Sequence, residues 1–466
     1  MVAQKNLCVL ILAAGKGTRM KSSLPKPLHP VCGLPMLAYS LQAAQQLNPD
    51  TICVIIGHES SLVEQEVNAH LADWGITASV VFAEQKTLNG SGGAVRAAAD
   101  ILHDFKQVMV LNGDVPLIEA ATLREMLTQF EVKRAGVSVL SMRVEDPTGY
   151  GRIVREADGG FARIVEETET DETTRAIDEV NGGMYIFNAE ALVHALALLE
   201  PQGPKQEFYL TDTLSFIKGF GLPALVYVVR DTQQALGVNS RAELAIVEEL
   251  MRTRINNHLM AAGVRLINPK ETYIQASVQI GPDTTIYPNC YLEGNTVIGS
   301  HCLLESNVLI RNCHIADHVT IRMGSYLDDS IVAETCEVGP YARLRPGAEL
   351  KTKAKVGNFC EVKKSVIGEG SKVNHLTYIG DTDMGQGVNI GAGTITCNYD
   401  GQKKYRTVIG DHCFVGSNTN FVAPVEVKPY SKIGAGSTIT KEVPEGSLAI
   451  ARARQVVLEK KGVKHD

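Results

Sequence analysis

Aliphatic residues fall on a six-residue beat through much of the second half of the chain. Ile274, Ile280, Ile286, Leu292, Ile298, Leu304 and Ile310 each lie six positions after the last. The beat returns at Val338, Leu344, Leu350, Val356 and Val362, and again at Ile409, Val415, Phe421, Val427, Ile433 and Ile439. A helix repeats every 3.6 residues and a lone strand every two, so neither makes this spacing. It predicts a parallel β-helix of hexapeptides, each short strand sending one aliphatic side chain into a prism-shaped core. Three hexapeptides close one coil of about eighteen residues. Gly, Asn or Asp is expected at corners that need positive φ.

The beat breaks between Ile310 and Val338, Val362 and Ile367, Ile379 and Met384, and Thr396 and Ile409. Such breaks predict loops that leave the wall, where function concentrates. The last one holds Asn398-Tyr399-Asp400-Gly401-Gln402-Lys403-Lys404.

The first half reads differently. Segments 7–12, 51–56, 78–82, 107–111 and 137–142 are apolar and strand-like; 35–47, 62–71, 93–102 and 121–130 are amphipathic and helix-like. This alternation predicts an open, Rossmann-like parallel sheet, an α/β fold whose ligands bind beyond the carboxyl ends of its strands. The expected layout is an α/β domain over 1–235, a helical arm over 236–262, the β-helix over 263–450 and a basic tail over 451–466. The tail is expected to stay loose without a ligand or neighbour.

Composition narrows the function classes. The 466 residues exceed one ordinary core, and the net charge of −7 argues against nucleic acid as a partner. Basic residues cluster only locally, within 16–26 and 351–364, as pockets for small anions require. Ten cysteines contain no CxxC pair and read as reduced packing residues. The apolar start is too short for a signal peptide and no stretch reaches membrane-spanning length. A soluble, cytoplasmic protein with small-molecule substrates and no membrane partner is expected.

Chemistry concentrates in two places. The first strand runs into Leu12-Ala13-Ala14-Gly15-Lys16-Gly17-Thr18-Arg19, followed by Pro25-Lys26-Pro27. A glycine-rich turn after a strand lets backbone N–H groups approach phosphate oxygens. The string is neither GxxxxGK[ST] nor GxGxxG, which disfavours an ATPase loop or a dinucleotide fold. Arg19 and Lys26 can neutralise a triphosphate and the charge growing on leaving pyrophosphate. Asn112-Gly113-Asp114 ends another strand and places Asp114 where a Mg²⁺ ligand is needed, although Asp after a strand is also a common turn former. A sugar-phosphate oxygen is already anionic near neutral pH, so attack on a nucleotide α-phosphorus requires positioning and charge neutralisation rather than an enzyme nucleophile.

In the solenoid, Arg345, Lys363, His375, Tyr378, Asn389 and Asn398-Tyr399 exceed what an oligomerisation post requires. Stacked coils bring 345, 363 and 375–378 to adjacent levels, giving a cationic pocket beside a histidine. A neutral imidazole can deprotonate a sugar amine attacking a thioester, while Arg345 and Lys363 hold a phosphate. His301, His314 and His318 read as wall residues, and the pattern around the last two does not support a zinc site.

Together with Pro147-Thr148-Gly149-Tyr150-Gly151-Arg152-Ile153, Ile164-Val165-Glu166, Asn181-Gly182-Gly183 and Gly237-Val238-Asn239, these strings cover nearly the whole chain. They resemble the bacterial bifunctional N-acetylglucosamine-1-phosphate uridylyltransferase/glucosamine-1-phosphate N-acetyltransferases. The resemblance implies acetylation of glucosamine-1-phosphate by acetyl-CoA, then uridylyl transfer from UTP to give UDP-N-acetylglucosamine for cell-envelope polymers. It assigns Leu12, Ala13, Ala14, Gly15, Lys26, Gln85, Gly90, Ser91, Asn112, Gly113, Asp114, Gly151, Glu166, Asn181 and Asn239 to nucleotide and sugar, with Arg19 and Lys26 catalytic. Asp114 and Asn239 would hold Mg²⁺. His375 would be the general base, with Arg345, Lys363, Tyr378 and Asn389 on the amino-sugar phosphate. Ala392, Asn398, Tyr399, Ser417, Ala435 and Arg452 would contact acetyl-CoA. The resemblance further implies a homotrimer built on a left-handed β-helix, with sites at subunit boundaries.

One stretch departs from the pattern. Where relatives of this kind carry Q-x-E-Q-x-GTGHA, this chain has Phe82 for the base-reading glutamine, three inserted residues and Gly93 for the histidine. Base preference is therefore open. Two rival readings are a single-activity nucleotidylyltransferase with a β-helix used only for oligomerisation, and a non-catalytic scaffold that binds sugar nucleotides.

Overall fold

The computed structural model describes residues 5–203 and 206–458. The chain divides into two compact units, Met1–Met251 and Arg252–Asp466, and helix Arg241–Ala261 runs through that division. Residues 451–458 are exposed and carry no helix or strand; the rest of the expected tail, 459–466, lies outside the described residues.

In the first unit, Lys5–Leu12 is buried on both faces and therefore reads as a continuous apolar run rather than an alternating one. It pairs in parallel with Thr51–Ile56 and Phe105–Asn112, and Val80–Glu84 extends the sheet beyond Thr51–Ile56. The sheet has nine strands among the described residues, and it is mixed rather than wholly parallel. Strand Glu179–Asn188 lies antiparallel between Phe105–Asn112 and Val137–Arg143. The reason is local: the chain after Arg143 makes an antiparallel hairpin, Arg152–Arg155 with Phe161–Val165, instead of a full crossover helix, so it returns in the opposite direction. The helix expected over 93–102 is also split, into Ser91–Arg96 and Ala99–Leu102.

The second unit is a β-helix of three parallel sheets, with eleven, ten and nine strands among the described residues. Each coil advances every wall by one strand: Leu344 pairs with Val362, and Ile286 with Leu304. The beat residues form one continuous buried core from Ile274 to Ile439. Most breaks in the beat do not release loops. Between Ile310 and Val338 the wall continues through Ile315, Ile321, Leu327 and Val332, all buried, and the spacing merely shortens to five at two corners. Only the last break leaves the wall, where Ile390 pairs with Val415, a coil seven residues longer than the Leu344–Val362 coil.

Corners depart from expectation as well. Asn289, Asn307 and Asn312 have positive φ as anticipated, but so do His301, Tyr341, Phe359 and Leu376. Backbone bonds between coils, such as Phe359 N–H to Tyr341 O at 3.2 Å, fix these corners whatever the side chain. Nine of the ten cysteines are buried and Cys397 is exposed. Among the described residues, no helix is long and apolar enough to cross a membrane.

Leu327 fills the prism and is fully buried. Replacement by alanine should cost about 2–5 kcal/mol, read as a lower denaturant midpoint of the β-helix transition.

Candidate functional site

A cleft of about 930 Å³ opens at the carboxyl ends of Lys5–Leu12 and Phe105–Asn112, whose register sets Leu12 beside Asn112. Its lining includes Leu12, Ala13, Ala14, Gly15, Arg19, Lys26, Gln85, Gly90, Ser91, Asn112, Gly113, Asp114, Asn181 and Asn239. Gly17 takes φ +57, and a Cβ there would come within 2.6 Å of Lys26 Cβ. The absent side chain lets Lys26 pass under the loop. Its ammonium forms an ion pair with Asp114 and donates to Asn239 Oδ1 at 2.8 Å.

Asp114 and Asn239 thus converge on one position for positive charge. They offer one carboxylate and one amide oxygen, and no group of three or more His, Cys, Asp or Glu suited to a metal occurs among the described residues. An incomplete, oxygen-only ligand set suits a hard divalent cation that completes its shell with phosphate oxygens and water. It does not suit a closed zinc site.

Gly151, Glu166 and Asn181 come together although they lie on three different strands or turns. Asn181 N–H donates to Gly151 O at 2.8 Å, and a Cβ on Gly151 would lie 3.4 Å from Glu166 Oε2. Burial pushes the Glu166 carboxyl pKa up, opposed by Thr211, whose hydroxyl donates to Glu166 Oε1 at 2.9 Å. Asn181 is oriented at both ends, donating to Tyr185 Oη at 2.7 Å and accepting from Gly183 N–H at 2.9 Å. Burial, then Glu169 and Glu166, push Asp212 up to about 6. Thr211, Tyr185 and Glu207, which also lines the cleft, were not singled out in the sequence. Thr211 and Glu207 sit in a segment without period; Tyr185 reads there as an ordinary strand aromatic.

Phe82 does not stand in for a base-reading group. It packs, half-buried, against the core that includes Val54 and Ile56, and is not among the cleft residues. Gln85, three residues on, is buried and lines the cleft. Gly90 holds φ +99 against Phe208 O, and Ser91 Oγ accepts from Leu210 N–H at 3.1 Å.

On the β-helix, the predicted residues form a ladder along one corner. Leu376 N–H donates to Asn358 O, Gly393 to His375 O, Asn418 to Ala392 O and Gly436 to Ser417 O. Arg452 Nη1 caps the series on Ala435 O at 2.7 Å. His375, Ala392, Ser417, Ala435 and Arg452 are therefore successive rungs. The His375 Nδ1 lies 2.7 Å from Asn358 Oδ1.

Arg345, Lys363 and Tyr378 occupy the neighbouring wall. Lys363 pairs with Gly380, and a Cβ on Gly380 would meet Tyr378 Oη at 2.4 Å, so the tyrosine ring folds over that glycine. Arg345 is bonded to Glu361 at 2.8 Å. Lys404, on the 398–406 excursion, was not predicted. Its ammonium group lies beside Lys363 and, followed by burial and Arg345, holds the Lys363 ammonium pKa below its ordinary value. Cations crowded this way suit a phosphate. Asn398 donates to Asp381, which roots the excursion, and Tyr399 is exposed. Asn389 pairs with Lys372, at the other end of the strand Lys372–His375.

Fold and sites define a class, a nucleotidyltransferase joined to a hexapeptide-repeat transferase. Residues 8–218 match the nucleotidyl transferase family, 257–362 the LbH domain of EIF2B subunit epsilon, and 406–441 the bacterial transferase hexapeptide (six repeats). The bifunctional protein GlmU of Geotalea uraniireducens is 46% identical over 452 residues, 97% of each chain. That of Pelobacter propionicus is 45% identical over 453 residues, again 97% of each. That of Clostridium botulinum (strain 657 / Type Ba4) is 43% identical over 461 residues, 98% of this chain and 99% of the relative. The chain belongs to the GlmU family of bifunctional proteins.

Asp212 titrates higher in the folded chain than its ordinary 3.8, so the native state binds the extra proton and loses stability as pH rises from about 4 to 6. Asp212→Asn should remove that loss. Comparing unfolding midpoints, the gap should open in favour of the variant across this window and stay level above it.

Proposed function

We propose that the chain carries out two transfers. The β-helix acetylates glucosamine-1-phosphate with acetyl-CoA, and the N-terminal cleft joins the product to UMP from UTP, releasing pyrophosphate. The observation that supports this reading is the occurrence of two constellations in one chain: the Lys26–Asp114–Asn239 group under a phosphate-approachable loop, and the corner ladder through His375. A bare oligomerisation post would need neither.

In acetylation, Arg345, Lys363 and Lys404 bind the sugar phosphate and Tyr378 lies over it. Asn358 Oδ1 is an acceptor, so it selects the tautomer with hydrogen on Nδ1 of His375 and leaves Nε2 to take a proton. The amine nitrogen attacks the thioester carbon, the C–S bond breaks, and the amine proton passes to Nε2 and from there to the departing sulfur, so that CoA leaves as its thiol. Ala392, Ser417, Ala435 and Arg452 line the path of the acetyl-CoA chain, with Asn398 and Tyr399 above it and Asn389 entering from a neighbouring subunit of a homotrimer.

In nucleotidyl transfer, a sugar-phosphate oxygen attacks the α-phosphorus in line and the bond to the β-phosphate breaks. The N–H groups of 12–17 hold phosphate oxygens, while Arg19 and Lys26 neutralise the departing pyrophosphate. Gly151, Glu166 and Asn181 orient the sugar and Gln85, Gly90 and Ser91 the nucleotide. Asp114 and Asn239 would hold Mg²⁺, which supplies charge neutralisation on the phosphates when bound. The product, UDP-N-acetylglucosamine, supplies envelope polymers from the cytoplasm.

The two sites are separable by mutation. With thiol release and pyrophosphate release followed independently, His375→Ala should abolish acetylation and leave uridylylation of pre-acetylated sugar intact. Asp114→Ala should do the reverse. Loss of both activities from either change would defeat the two-site assignment.

A further inference from the structure

The stretch that departs from the family pattern contains its own compensation, and this deepens the uridylyl-transfer reading on which it rests. Gln85 has two amide hydrogens, and both are committed inside the loop. Nε2 donates to Gly90 O at 3.0 Å and to Asn89 Oδ1 at 3.2 Å. A backbone carbonyl can only accept, so Gly90 fixes which pole of the Gln85 amide faces the loop. The Asn89 side chain must then also present oxygen. The remaining pole of Gln85 is Oε1, on a residue that lines the nucleotide cleft.

Asn89 belongs to the segment lengthened by insertion, and Gly93 stands where the pattern has histidine. The two changes are sterically linked: a Cβ at Gly93 would lie 1.9 Å from Asn89 Oδ1. Only glycine there leaves room for the asparagine amide. Asn89 is otherwise held by its backbone, whose carbonyl accepts from Phe208 N–H at 2.7 Å, so truncating its side chain leaves the loop anchored.

We propose that Asn89 is a positioning residue that sets base selection by locking Gln85 with Oε1 toward the base. An outward oxygen accepts from the imide N–H of uracil. The corresponding ring nitrogen of cytosine bears a lone pair and is repelled. A reversed Gln85 would present N–H to that lone pair and favour cytosine instead.

The test is kcat/KM for pyrophosphate release with UTP and with CTP, using pre-acetylated sugar phosphate and the full chain. Asn89→Ala should lower the UTP-over-CTP ratio about three- to tenfold, the worth of one neutral hydrogen bond. Gly93→Ala, which displaces the Asn89 side chain, should lower it likewise. Asn89→Asp retains an acceptor, so its ratio should stay within about twofold of the parent whatever its effect on overall rate. Thermal midpoints identify any variant that fails to fold, and Asn89→Ala and Gly93→Ala are independent routes to the same change. Gln85→Ala separates the two levels of the argument. If it flattens the ratio while Asn89→Ala lowers UTP and CTP equally, the lock is overturned and base reading by Gln85 stands. If Gln85→Ala leaves the ratio unchanged, the assignment of Gln85 to the base falls, and the lock falls with it.

Discussion

The β-helix depends on one constraint: every wall must return one aliphatic residue to the prism at a fixed height. Burying such a side chain contributes roughly 1.5–3 kcal/mol, whereas each doubling of a surface loop costs only about 0.6 kcal/mol. The excursion at 398–406 is therefore inexpensive so long as the walls re-register around it. They do, since Ile390 meets Val415, Thr396 meets Phe421 and Met384 meets Ile409, all by the same longer step. Because inward positions are committed to packing, chemistry is confined to outward positions and corners. Strand pairing then stacks those positions one coil apart, so His375 and the residues above it form a column without being close in sequence.

The N-terminal cleft solves a different problem, the approach of a highly charged phosphate chain to protein. Its means are mostly backbone. Gly17 is required by Lys26 beneath it, Gly90 by Phe208 O and Gly151 by the Ile164 side chain, each a close approach that a Cβ would obstruct. Side-chain charge is held in check: Lys26 is paired with Asp114, and Arg19 also lines the cleft. Around Glu166 and Asp212 burial governs instead, raising both carboxyls toward their neutral forms and favouring hydrogen bonding over charge there.

This difference explains what the sequence disclosed. The prism was legible because its constraint repeats, and the phosphate loop because glycines and cations fall in one short string. The antiparallel strand Glu179–Asn188 was not, since a mixed sheet and a parallel one demand the same apolar run. Three of the breaks in the beat were misjudged because a corner can absorb one residue without releasing a loop; only Thr396–Ile409 carried enough residues to leave the wall. Thr211, Tyr185 and Lys404 escaped notice because their roles exist only through partners far along the chain.

The corner that carries His375 also changes character at that residue. After Asn307 and Gly324, the left-handed corner positions leading up to it are Tyr341, Phe359 and Leu376, exposed by 50%, 59% and 63%. Above it they become Gly393, Asn418 and Gly436. Left-handed φ is strained for large side chains, roughly 1–2 kcal/mol against glycine, so bulk at three successive corners is not what folding alone selects. The rungs beside the small corners are Ala392, Ser417 and Ala435, themselves among the smallest side chains. The bulky ridge and the slim, small-residue column that follows it are spaced one coil apart by the same backbone bonds that order the walls.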